Sequence, residues 1–277
     1  MGKVQVCSER GSSLINEDAF ILNEKAQIYG VVDGATSVSP YQNAKGETGG
    51  YIASQLLATF FQQASKTQSL RDIVLEANQA LRSAMVEAGV DVSQKADLWC
   101  AAFIIVRINE TNIEYIQAGD CMLFAKYEDN TIRVMTHSQV AHLDGMTLKK
   151  AMDLRKQGKT SRDHLLPTLR ANRTKANTLS GYSVLNGEPA FADFLEAGIF
   201  NRACLSKLYL ISDGLFSPTE SAEEKINWEQ MIDQMDKKGL SSYTKELIAT
   251  EEADPDCIRY PRLKRSDDKT GIIIDLP

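Results

Sequence analysis

Three apolar runs in this chain end on aspartate with glycine beside it. "IYGVVDGATS" delivers Asp33, "IEYIQAGDC" delivers Asp120 and "LYLISDGLF" delivers Asp213. Aspartate is a poor strand former and is seldom buried without a partner, so each run marks either a turn or a ligand. Two more acidic clusters, Glu17 and Asp18 in "NED" and Asp267 and Asp268 in "DD", stand close to other strand candidates. If those strands lie side by side, their ends gather several carboxylates, and like charges that close repel unless cations join them. Donors that are all oxygen suit Mg²⁺ or Mn²⁺ rather than zinc, and the glycine after Asp33 lets the backbone come close to an ion. Taken singly, each Asp-Gly pair reads as a turn; the order and context of the set favour a ligand constellation.

The elements that must position these groups follow from periodicity. "VQVCS", "AFIL" and "IYGVVD" read as strands, and residues 48–65 and 70–89 place apolar side chains at helical spacing, with Gly89 as a stop. "WCAAFIIVRI", "NIEYIQAGD", "CMLFAKYE" and "TIRVMTH" form a run of strands broken by turn residues, as in an antiparallel meander. The pattern weakens over residues 138–200, where "MTLKKAMDLRKQG" is a short helix candidate and "NTLSGYSVLNGEPA" reads as loops and hairpins, so this stretch is expected to be a flap or insertion. "LYLISD" restores a strand, "INWEQMIDQM" and "SSYTKELIATEE" read as helices, and "TGIIIDL" closes with a strand. Grouped strands and helices predict an α+β layered fold of mainly antiparallel sheets, organised as a single domain over 1–277.

Composition narrows the function classes. The 43% hydrophobic and 25% charged content is that of a folded globular protein. No run approaches the roughly 20 apolar residues that cross a bilayer, and the start lacks a secretory h-region, so a cytoplasmic protein without a membrane partner is expected. Five cysteines, scattered and without a C-x-x-C pair, argue against a disulfide framework or a thiolate zinc site; they read as small buried hydrophobes. The net charge of -6 argues against nucleic acid as a partner. Between Lys149 and Lys175, however, nine basic residues face two acidic ones, a segment that is either a solvated flap or a steering surface for acidic substrates.

"NEDAF", "VVDGATS", "IQAGDC", "LYLISDGLF" and "DDKTGIIID", in this order across nearly the whole chain, resemble the successive motifs of the metal-dependent PPM family, the type 2C protein serine/threonine phosphatases. The resemblance implies a layered α-β-β-α sandwich with a binuclear Mg²⁺ or Mn²⁺ centre at one end, acting on phosphorylated proteins. It implies catalytic roles for Asp33, Asp213 and Asp267: Asp33 bridges the two ions, and Asp213 and Asp267 hold the second. Gly34 offers its carbonyl oxygen, Glu17 and Asp18 reach the centre partly through water, and Asp120 matches a third-metal aspartate. Asp268 stands where the family often has Asn and is expected to support the ligands from behind. The chemistry implied is attack of an ion-activated water on phosphorus in line, with no phospho-enzyme.

The chain departs from the family pattern at three places. The arginine expected shortly before "NED" is replaced by Ser12, Ser13, Leu14 and Ile15, which leaves Arg10 as the nearest phosphate-binding candidate. Ala35 stands where some members have His, and His137, His142 and His164 form no ligand set. Ser217 occupies a position where many members have Asp, so a third ion would be weak or absent. These departures keep open a catalytically silent, phosphoprotein-binding module and, with the chemistry retained, a small phosphorylated metabolite as substrate.

Overall fold

The fully buried strand β4 (Cys100–Ile108) is apolar at nearly every position, the composition of a strand covered on both faces. It lies at the centre of one five-stranded sheet, in the order β2 (Ala19–Asn23), β3 (Ile28–Ala35), β4, β5 (Asn112–Ala118), β8 (Glu196–Asn201). The second sheet runs β1 (Val4–Glu9), β10 (Lys269–Asp275), β9 (Leu205–Ile211), β6 (Met122–Tyr127), β7 (Ile132–Val134). Every pairing within the two sheets is antiparallel. These descriptions come from a computed structural model and cover residues 2–36, 38–159 and 162–277.

Three apolar layers hold the elements together. Helices α1 (Gly49–Gln63) and α2 (Leu70–Glu87) cover the outer face of the first sheet, packing Leu57, Phe61, Ile73 and Leu81 on Ile28, Val32, Phe103 and Ile105. Between the sheets, Tyr29, Val31, Ile104 and Val106 meet Leu123, Leu208, Leu210 and Ile272. Helices α6 (Trp228–Lys238) and α7 (Leu240–Glu252) cover the second sheet through Met231, Met235 and Leu247. The α-β-β-α sandwich is therefore present. Its helix starts are capped as the sequence requires: Thr48, Ser69 and Asn227 each accept a backbone N–H from the first turn of α1, α2 and α6.

Between β7 and β8 the chain leaves both sheets. It forms α3 (Ala141–Lys156), a short 3-10 turn at Arg162–His164, α4 (Leu166–Arg173) and the single-turn α5 (Phe191–Phe194). Helix α3 begins at Ala141 rather than near Met146, and neither α4 nor β8 is announced by the sequence pattern. Strand β8 pairs with β5 along one edge and alternates only between half-buried and exposed side chains, which leaves little hydrophobic signal. Of the five cysteines, four are buried as expected, but Cys204 is exposed.

Candidate active site

Strand alternation explains how a carboxylate reaches the middle of the sandwich. Tyr29 and Val31 point between the sheets, while Ile28 and Val32 point toward α1 and α2. With a period of two, Asp33 continues the inter-sheet series and sits at its end. It is still in register within β3, opposite Ala102, so "DG" at 33 and 34 is not a turn. The same logic places Thr270 and Asp268 on the series of Ile272 and Ile274 in the second sheet. Asp213 opens a 3-10 turn directly after β9 and its neighbour Ser212. Asp120 does lie in a turn, between β5 and β6, where Gly119 adopts φ +84°.

These ends converge on a cavity of about 600 Å³ whose walls include Asp33, Asp120, Asp213 and Asp267. One oxygen of Asp33, one of Asp120 and the Cys121 sulfur all lie within 4.8 Å of one another. The thiol was not legible as part of this group, because a buried cysteine ordinarily reads as a small hydrophobe. Loss of water and mutual repulsion act on the whole cluster. Asp33 is raised well above the usual carboxylate range by desolvation and then by Asp18, Asp213, Asp120 and Asp267. Asp120 is raised by desolvation and then by Asp213, and Asp213 is pushed up to about 6 by desolvation and Asp267.

Glu17, Asp18 and Gly34 stand behind the cavity wall. Glu17 is buried and held by two hydroxyls, Thr48 Oγ1 donating to Oε1 at 2.5 Å and Thr36 Oγ1 to Oε2 at 2.7 Å. Asp18, also buried, accepts from Ser212 Oγ at 2.9 Å, and its pKa is raised by burial, with Asp267 and Asp268 adding to the rise. Gly34 answers to a close approach: a Cβ there would fall 2.3 Å from the Gly50 carbonyl oxygen and 2.4 Å from that of Glu17. Asp268 accepts the Gly11 N–H and the Glu17 N–H, each at 2.7 Å, and so fixes the loop that carries Glu17 and Asp18.

Arg10 is the one sequence candidate that the structure takes away from the site. Its side chain is exposed, donates to the Leu14 carbonyl at 2.9 Å and does not line the cavity. Cations come instead from elements that the sequence left indistinct. Arg155 and Arg173 from the segment between β7 and β8, and Arg262 and Lys264 from the loop before β10, all line the cavity. Lys264 Nζ lies 2.6 Å from Asp267 Oδ1. Burial works against its charge, but Asp267, Asp33 and Asp213 outweigh it and hold the ammonium well above the usual lysine range.

The basic segment 149–175 is largely committed to contacts. Lys149 pairs with Glu223, Lys150 donates to Thr168, Lys156 pairs with Asp153, Arg170 pairs with Asp97 and Arg173 reaches the Thr36 carbonyl. Arg155 bridges to the Cys257 and Arg262 carbonyls at 3.2 and 2.8 Å. His137, His142 and His164 are exposed and absent from the cavity wall, and Ser217 turns to the Tyr243 hydroxyl. Asp144, from the first turn of α3, enters the cavity; desolvation and Asp213 push it up to about 7.

The arrangement tests well against a divalent ion. Asp213 Oδ1 is buried with no hydrogen-bond partner, an acceptor that costs stability unless something cationic meets it. Carboxylates converging in one cavity repel one another and are the donor set that a divalent cation would neutralise.

Comparison with known proteins gives one family and one fold. The family model for protein phosphatase 2C matches residues 7–253. No curated protein matches the chain in sequence. Among solved structures, the catalytic domain of the serine/threonine phosphatase PstP in complex with two manganese ions superposes with a TM-score of 0.60 at 14% identity, covering 99% of this chain and 97% of that one. PstP from Mycobacterium tuberculosis gives 0.59 at 15% identity over 99% and 98%. PppA, a regulatory component of the type VI secretion system in Pseudomonas aeruginosa, gives 0.60 at 14% identity over 99% and 96%.

Proposed function

Because this chain belongs to the protein phosphatase 2C family, the metal-dependent serine/threonine phosphatases, we propose that its carboxylate-lined cavity is the phosphatase centre, taking Mg²⁺ or Mn²⁺. Asp33, Asp213 and Asp267 would hold the ions directly, with the Gly34 carbonyl, and Glu17 and Asp18 would reach them partly through water. Asp120 would hold a further, weaker ion. Two ions in such a cluster lower the pKa of water and neutralise charge on the phosphoryl group. The observation that carries this assignment is the convergence of Asp33, Asp120, Asp213 and Asp267 on one cavity wall.

The chain's own groups do the positioning. Asp268 holds the backbone at Glu17, and Thr36 and Thr48 fix both oxygens of its carboxylate. Ser212 orients Asp18 from the end of β9. The apolar layer between the sheets makes the mouth rigid, so these carboxylates cannot relax apart when unpaired. We read the chain as one phosphatase unit with a phosphorylated protein as the substrate. Of the flap expected over 138–200, residues 196–200 belong instead to β8, and the described residues between β7 and β8 are the part read as lying over the cavity. The five free cysteines fit a reducing, cytoplasmic setting; no helix among the described residues is long and apolar enough to cross a membrane.

A silent binding module draws support only from the outward turn of Arg10. Turnover of a phosphothreonine peptide separates the two readings. Hydrolysis with Mn²⁺ or Mg²⁺ that stops with chelator is expected, and folded protein that turns over nothing with either ion would favour the module.

A further inference from the structure

The loop between α7 and β10 is built to fix the backbone that leads to one lysine. Asp254 accepts the N–H groups of Ile258, Arg259 and Tyr260 and the Arg262 guanidinium. Arg262 returns bonds to the Glu251 and Arg265 carbonyls, and Arg155 of α3 grips the Arg262 carbonyl from across the cavity. Lys264 follows directly, with its side chain in the cavity and partly accessible. Arg155 spends its guanidinium on backbone carbonyls, Arg262 is held by the Asp254 carboxylate as well as by carbonyls, and Arg173 reaches the carbonyl of Thr36. Lys264 differs from them, because its 2.6 Å partner is Asp267, a side chain that the phosphatase reading gives to an ion.

We propose that Lys264 is an exchangeable counter-cation: it neutralises Asp267 until a divalent ion takes that carboxylate, and the freed ammonium then grips a phosphoryl oxygen of the substrate. The inference rests on the phosphatase reading of the cavity. An ammonium on a flexible stem is a compact phosphate binder with three donors, and it needs only to swing from one oxygen to another. Arg10, the phosphate-binding candidate from the sequence, is turned away to the Leu14 carbonyl, so the cavity must find its phosphate contact elsewhere. The exchange also sets a cost on metal binding, since the ion must displace a bound cation.

The test compares Lys264→Met and Lys264→Arg with wild type in the full chain. Mn²⁺ binding is read by titration calorimetry without substrate, and KM and kcat are read on a phosphothreonine peptide at saturating Mn²⁺. Removing a partly exposed competitor should tighten Mn²⁺ binding about fivefold in Lys264→Met. Losing a charged hydrogen bond to phosphate should raise KM about tenfold in the same variant, and Lys264→Arg should restore it. A Lys264→Met protein with wild-type Mn²⁺ affinity, or with an unchanged KM, overturns the proposal while leaving the phosphatase intact. Absence of Mn²⁺-dependent turnover in wild type would remove both.

Discussion

The Asp268 carboxylate accepts the backbone N–H of Glu17 at 2.7 Å, joining positions separated by 251 residues in the chain. Its other oxygen takes the Gly11 N–H at the same distance. Through this pair the loop before β10 dictates where the loop before β2 places its carboxylates.

Replacing Asp268 with Ala strands both N–H groups. Each charge-assisted bond contributes about 1.5–3 kcal/mol, so denaturant unfolding should show a loss of about 3 kcal/mol or more, with reduced turnover because Glu17 is no longer fixed. Asp268→Asn keeps acceptor capacity and should be milder.

Thr48 has two tasks, since its hydroxyl caps α1 through Tyr51 N–H and donates to Glu17 Oε1. Thr48→Val should cost about 1–2 kcal/mol in thermal unfolding through the cap alone. It should also weaken Mn²⁺ binding in a calorimetric titration, whereas Thr48→Ser should leave both close to wild type.

Gly34 tolerates no side chain, because its Cβ would overlap the Gly50 and Glu17 carbonyl oxygens. Gly34→Ala should lose about 3 kcal/mol of stability from overpacking, measured by urea unfolding. A wild-type midpoint would contradict the packing described for β3 and α1.

Acid sensitivity has a source away from the cavity. Asp236 accepts from Lys126, Lys207 and the Tyr209 hydroxyl; desolvation opposes these bonds, yet they hold its pKa down at about 2. A carboxyl lowered on folding binds fewer protons in the native state, so its contribution is complete above the unfolded value of about 3.9 and is lost as pH falls toward 2. Solvent screening limits it to about 1 kcal/mol. Wild type should therefore exceed Asp236→Asn in melting temperature at pH 7, with the gap closing as pH drops from about 4 to 2.

Much of this molecule was legible because its strands carry strong signals. The apolar runs of β3 and β4 fix two central strands, and five acidic motifs in order point to the end of the sandwich. What escaped depends on contacts made at a distance. Strand β8 exists through pairing with β5 and has little apolar pattern of its own. Helix α4 has no buried residue, so periodicity had nothing to register. Arg10 was near the site in sequence but is carried away by its loop, while Lys264, 254 positions later, is brought in by a network centred on Asp254. Proximity in sequence decides little in a loop; hydrogen bonds to its backbone decide more.

Asp33 is the group on which the functional account turns, and its conversion to Asn changes one charge with little change of shape. The decisive measurement is hydrolysis of a phosphothreonine peptide by wild type and Asp33→Asn across a Mn²⁺ titration, with folding of both checked by circular dichroism. The account predicts metal-dependent turnover in wild type, abolished by chelator, and a loss of at least about a hundredfold in kcat/KM for a folded Asp33→Asn, since a carboxylate central to ion binding is neutralised. Equal turnover by the two proteins at every Mn²⁺ concentration would contradict it.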